Sequence, residues 1–217
     1  MNLFITELAK NPSFYFSWVV IVTFSICCHE FAHAYVALRM GDDTAARRGH
    51  LSLNPLVQMG RTAIIMLLVI GIAWGRVPVT PARMRSRAGD AITSAAGPLT
   101  NLALCIVAAL AAALTYGLGA RDAESSSPIP LFFFYASMAN AVLFLLNMMP
   151  VPMFDGWSVF SLLFPAMRTL NPQTRQNITF AVLLLVFLTP AGELLWLFGE
   201  NAAHFAIKAW YVLLPGI

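Results

Sequence analysis

FYFSWVVIVTFSICCHEFAHAYVAL, residues 14–38, is an apolar run whose only acidic or imidazole side chains are His29, Glu30 and His33. As a helix it extends about 37 Å at 1.5 Å per residue, enough to cross a hydrocarbon core of ~30 Å. Placing an ionisable side chain inside such a span costs roughly 2.5–3.5 kcal/mol on insertion scales, so three within five positions need a compensating partner, either a metal or a water-filled cavity. The spacing favours a metal. Four residues at 3.6 per turn put His29 and His33 on one face, where two imidazole nitrogens can share one Zn²⁺ at about 2.0–2.1 Å. Glu30 lies about 100° around the helix, within reach of a metal-bound water without being a ligand.

The rest of the chain agrees with a membrane setting. Of its 217 residues 59% are hydrophobic and 11% charged, with a mean hydropathy of +0.74. That excludes a soluble domain, a disordered chain, a collagen and a coiled coil. Cys27, Cys28 and Cys105 all sit in apolar runs and read as small core residues. The net charge of +3 comes from cations spread by topology and not gathered with aromatics, so no nucleic acid is expected as a partner. No small-x-small cleavage pattern follows the first run, and the first span is expected to be retained.

Further apolar stretches cover 91–116, 131–149, 178–189 and 192–214, the last two meeting at a turn near Pro190. A sixth, 62–74, is too short for an ordinary crossing and reads as re-entrant or interfacial. Arg39, Arg47, Arg48 and Arg61 precede it and Arg76, Arg83, Arg85 and Arg87 follow it, so eight of the thirteen Lys and Arg flank this segment. Both flanks are therefore expected in the cytoplasm, with the N-terminus outside and the loop carrying Arg121, Asp122 and Glu124 external. The expected fold is an all-α polytopic membrane protein, one domain over 1–217 with five to six hydrophobic segments. Its catalytic core covers about 14–160, and C-terminal helical segments cover about 176–217.

Between the first span and the short segment, RRGHLSLNP at 47–55 alternates Leu51 and Leu53 with Ser52 and Asn54. That pattern predicts a strand, paired in a small β-hairpin at the cytoplasmic boundary with Val77 and Val79 of GRVPVTP. Two histidines leave a catalytic zinc short of a ligand. Asp155 in NMMPVPMFDG, 147–156, is the candidate, because the span before it ends on the same side as His33. The competing role for Asp155 is an N-cap for a helix starting near Trp157. Asn101 reads as packing between helices, Asn54 as a turn residue and His50 as an interfacial hydrogen bonder. Glu200, His204 and Lys208 read as a helix face turned to headgroups or a neighbouring helix.

HEFAHAYVALRMGD (29–42), RRGHLSLNP (47–55), AGPLTN (96–101) and NMMPVPMFDG (147–156) together resemble the site-2 protease family of intramembrane zinc metalloproteases (peptidase family M50), in the small form without PDZ or CBS domains. The resemblance covers roughly residues 23–160. It implies one Zn²⁺ per chain held by His29, His33 and Asp155, Glu30 as general base, and Asn147 beside the substrate or its oxyanion. The chain departs from the family pattern at Phe154, where Leu commonly precedes Asp-Gly, and at Met153, where Pro commonly stands two before the Asp.

The expected activity is hydrolysis of peptide bonds in or near the transmembrane segments of other membrane proteins, in a prokaryotic plasma membrane with the site toward the cytoplasm. The partners are then a transmembrane protein substrate and the lipid bilayer. An unwound substrate would add to the 47–55 strand, with Ser52 and Asn54 as substrate-binding residues. A catalytically silent homologue that binds membrane proteins and a metal transporter are the alternatives. The sequence carries no signal for oligomeric state.

Overall fold

The computed structural model describes residues 3–86, 88–119 and 128–215, so Arg87 and the expected external charges Arg121, Asp122 and Glu124 lie outside the described residues. The described residues form ten α-helices: α1 (Glu7–Lys10), α2 (Pro12–Met40), α3 (Thr44–Arg47), α4 (Pro55–Gln58), α5 (Gly60–Ile70), α6 (Gly89–Gly119), α7 (Ile129–Asn147), α8 (Gly156–Leu163), α9 (Pro172–Leu188) and α10 (Ala191–Leu213). Among them α2, α6 and α7 are long and apolar enough to cross a membrane, and α9 with α10 forms a further bent pair, kinked by 74° at the break containing Pro190. This is a polytopic, all-helical membrane protein.

Asn11 and Pro12 start α2: the Asn11 side chain accepts from Phe14 N at 3.1 Å, and the missing N–H of proline costs nothing in the first turn. The helix is apolar all round, as expected of a lipid-embedded element. Phe16, Val20 and Phe24, one turn apart and each more than half exposed, form its outer stripe. On the other side Trp18, Ile21, Val22, Ile26 and Cys27 pack with Met59, Ala63 and Leu67 and with Ala139 of α7. Helix α6 packs most extensively on α7 and then on α2, and Ala109, Ala112 and Ala113 let α10 approach through Ile207. Glu200 and His204 are both exposed and face each other at 3.9 Å.

The short segment doubles back beside α2. Helix α5, about 16 Å long, runs beside α2 and stops at Gly71, where φ is +83° and a side chain would strike Phe4. There Tyr15 Oη donates to Leu68 O and Trp18 Nε1 to Gly71 O, each at 2.9 Å. The chain then returns along α2 as an extended strap over 72–80. Thr80 N donates to Asp42 Oδ2 at 2.5 Å, and Arg85 N donates to Met40 O at 2.9 Å. Trp18 and Asp42 are 24 residues apart, about 36 Å along a helix, so the segment enters and leaves at the Met40 end. Successive crossings by α2 and α6 therefore stay antiparallel, as the arginine distribution required.

The expected β-hairpin is not formed: the described residues contain no strand. Residues 48–54 are turn, bend and irregular chain, because their polar side chains bond the local backbone. Ser52 Oγ accepts from Asn54 N at 3.1 Å, and Asn54 Oδ1 caps α4 by accepting from Leu56 N at 2.9 Å. Gln58 Nε2 donates to His50 O at 2.8 Å and also to Ser52 O, taking carbonyls that a ladder would use. Val77 and Val79 lie in the strap, held by Arg76 N donating to Gln58 O at 2.9 Å.

Asp42 ties the strap to the end of α2. It is fully buried and accepts from Thr44 N, Thr44 Oγ1 and Thr80 N. Burial raises its pKa, but these hydrogen bonds outweigh that and hold the carboxyl below its ordinary value. A depressed carboxyl contributes stability that is present above the unfolded pKa of ~3.9 and is lost as pH falls through the folded value. Asp42→Asn, which turns a donor toward Thr80 N–H, is expected to destabilise the chain by about 1–3 kcal/mol and to remove this acid-sensitive component. Thermal unfolding of both proteins in detergent at neutral pH and below pH ~4 measures it; equal stability at neutral pH would contradict the role.

Candidate metal centre

The antiparallel crossing of α2 and α6 sets His29 opposite Asn101 and His33 opposite Thr93. His33 Nδ1 lies 2.8 Å from the backbone oxygen of Thr93, which can only accept, so Nδ1 carries the proton. The tautomer of His29 follows from a longer chain. Asn140 Nδ2 donates to Ala136 O at 2.9 Å, so Asn140 Oδ1 accepts from Asn101 Nδ2 at 2.9 Å. That leaves Asn101 Oδ1 facing His29 Nδ1 at 2.5 Å, which must donate. As neutral imidazoles both then present a bare Nε2 to the same point.

Asp155 completes the set. Its Oδ2 lies 3.1 Å from His29 Nε2 and 3.2 Å from His33 Nε2, and the two nitrogens are 2.9 Å apart. It occupies the N-cap position of α8, but its side chain makes no capping bond there; the carboxylate points to the histidines instead. Gly156 is obligatory beside it, because a Cβ there would strike the backbone of Met148 and Met149.

Three acceptor atoms in mutual contact repel one another unless a cation lies among them. Four ligands at about 2.0–2.1 Å around zinc stand roughly 3.3 Å apart, and separations of 2.9–3.2 Å fit that set with little movement. The space is also kept open on the α6 side: a Cβ on Gly97 would fall on Nε2 of both His29 and His33. The donor set, His₂Asp with each histidine oriented by a second hydrogen bond, is one that zinc takes.

These groups face a cavity of about 390 Å³. Glu30, itself buried, lines it together with Trp74, Gly75, Asn147 and Phe154. The strap lies directly on Glu30, since a Cβ on Gly75 would collide with its carboxylate. Asn147 Nδ2 donates one proton to Leu143 O at 3.0 Å, one turn back in α7. Ser52 and Asn54 do not line the cavity; both are engaged in the turn that begins α4.

Sequence reasoning therefore named the groups that converge and missed their supports. Asn101, read as packing, orients His29, and Gly97 one turn earlier leaves room beside His29 and His33. The signal was present in AGPLTN, which places Gly97 and Asn101 on one helix face.

No family model matches the chain, and no solved structure does. Among curated proteins it is 35% identical over 182 residues to "Putative zinc metalloprotease YwhC" of Bacillus subtilis, covering 82% of this chain and 83% of the relative. It is 30% identical over 211 residues to "Putative zinc metalloprotease Rip2" of Mycolicibacterium smegmatis, covering 89% of this chain and 71% of the relative. The counterpart of that relative in Mycobacterium tuberculosis strain H37Rv is 29% identical over 210 residues, 88% of this chain and 75% of the relative. At this identity, over most of both chains, the protein belongs to the same family as the zinc metalloproteases YwhC and Rip2.

Proposed function

We propose that the chain is an intramembrane zinc metalloprotease of the site-2 type, hydrolysing peptide bonds in or beside the transmembrane segments of other membrane proteins. The observation that carries this reading is the meeting of His29 Nε2, His33 Nε2 and Asp155 Oδ2 within an apolar bundle, next to the buried acid Glu30. His29, His33 and Asp155 would hold zinc, which when bound would supply a water of lowered pKa and a Lewis acid for the scissile carbonyl. Glu30 takes the proton of the attacking water and returns it to the leaving amine. Asn147 has one amide proton left after its bond to Leu143 O, and offers it to the substrate backbone or the developing oxyanion.

A helical substrate must unwind before its carbonyls are accessible. The strap over 72–80 supplies the extended edge that the absent hairpin was expected to give. Among the described residues Trp74, Gly75, Val77 and Val79 make no backbone hydrogen bond to the rest of the chain. Their groups are free to pair with an extended segment lying across the cavity. The basic residues that flank α5 orient this end toward the cytoplasm of a prokaryotic plasma membrane, as in the bacterial setting of the relatives.

A catalytically silent homologue would need no Glu30 chemistry. Glu30→Gln should keep zinc and lower cleavage of a single-span membrane substrate in vesicles by about 10²–10⁴-fold; unchanged cleavage would remove Glu30 from the mechanism. Gly97→Ala should lower zinc content well below that of the wild type while the helices remain folded, measured by metal analysis and circular dichroism. Full zinc in that variant would contradict the packing argument.

A further inference from the structure

A second polar cavity, of about 340 Å³, lies outside the metal centre, where α6, α8 and α9 begin. Its walls carry Arg168 and Arg175 with Trp157, Ser158, Ser161 and Asp90. Among the described residues no carboxylate lies within 4.0 Å of either guanidinium. The arginines are nonetheless held in place. Arg168 Nε donates to Ser161 Oγ at 3.1 Å, Ser161 Oγ donates to Ser158 O at 2.9 Å, and Arg175 Nη2 donates to Arg168 O at 2.6 Å. The Arg175 guanidinium carbon sits 5.7 Å from the centroid of the Trp157 ring.

Arg175 Nε is buried and has no hydrogen-bond partner. An unsatisfied buried donor costs about 1–3 kcal/mol, and more when the group is charged. Arg175 also stands in the first turn of α9, where the helix dipole disfavours a cation. Two ordered guanidiniums, one of them with an unmatched Nε–H, and the Ser158 hydroxyl are groups that together recognise a phosphate oxyanion. One carboxylate against two guanidiniums suits a monoanion, and Asp90 can accept from a hydroxyl or ammonium on the same molecule.

We propose that Arg168 and Arg175, with the hydroxyl of Ser158, form a binding site for a phosphate monoanion at the end of the bundle where α2 finishes and α6 begins, the level of the lipid headgroups, with Ser161 holding Arg168 in place. The ligand is an anionic phospholipid headgroup or a soluble phosphate. Because Trp157 and Ser158 follow Asp155 on α8, the occupant would brace the helix that presents the third metal ligand.

The test uses the full chain in neutral maltoside detergent. Native mass spectrometry measures binding of short-chain phosphatidylglycerol, and equilibrium dialysis measures inorganic phosphate. Wild type should bind at least one of them. Phosphatidylglycerol bound at least tenfold tighter than phosphate identifies a headgroup site, and equal or tighter phosphate identifies a soluble ligand. Arg168→Gln with Arg175→Gln should weaken binding at least tenfold, while Arg47→Gln with Arg48→Gln should not. Ser158→Asp, which puts a carboxylate into the cavity and spares both arginines, should give the same loss and carries the test if the double variant misfolds. Absence of binding in the wild type, undiminished binding in folded Arg168→Gln/Arg175→Gln or in Ser158→Asp, or an equal loss in Arg47→Gln/Arg48→Gln would overturn the proposal.

Discussion

Three lone-pair acceptors, two imidazole nitrogens and one carboxylate oxygen, converge to within 2.9–3.2 Å of one another inside a membrane protein. In water such a meeting would be dispersed by repulsion and hydration. Inside an apolar bundle the two buried histidines are largely cut off from water, and an unpaired buried charge is among the most costly features a fold can contain. A cation at the meeting point removes the repulsion and the desolvation penalty together. The packing around the site is intelligible as what holds these three atoms together and leaves room for a cation.

That packing is carried by unremarkable residues. Backbone oxygens of Thr93 and Ala136 are fixed acceptors, and through Asn140 and Asn101 they decide which nitrogen of each histidine faces the centre. Gly97 and Gly156 matter for atoms they lack: one leaves room beside His29 and His33 on α2, the other lets α8 start close against the end of α7. The strap returning from α5 adds the remaining wall and is anchored at its far end by Asp42. Stability and chemistry meet at Gly75, where the strap touches the acid that would handle the proton.

Much of this was legible in the sequence, for physical reasons. His29, Glu30 and His33 stand out because ionisable groups in a lipid-spanning run demand a partner, and Asp155 follows because topology returns the chain to the same end. That 62–74 is a short helix and not a full-length one was legible in its length. The alternation at Leu51–Asn54 misled, since a period of two is shared by strands and by turns whose serine and asparagine bond the backbone, and Gln58 six residues on decided between them. Asn101 was undervalued because an asparagine between helices looks the same whether it bridges two helices or orients a ligand. Nothing local to 71–80 announces that an extended segment runs beside α2, because that depends on Tyr15, Trp18 and Asp42 some 35 residues or more away.

The central claim, that residues from α2 and from the start of α8 form one zinc site, is tested most directly by metal analysis. Zinc per polypeptide would be measured in detergent-purified wild type and Asp155→Ala after dialysis against a weak chelator. The account predicts close to one zinc per chain in the wild type and a clear loss in the variant. Zinc retained in full by Asp155→Ala, or a wild type that holds none, would contradict it.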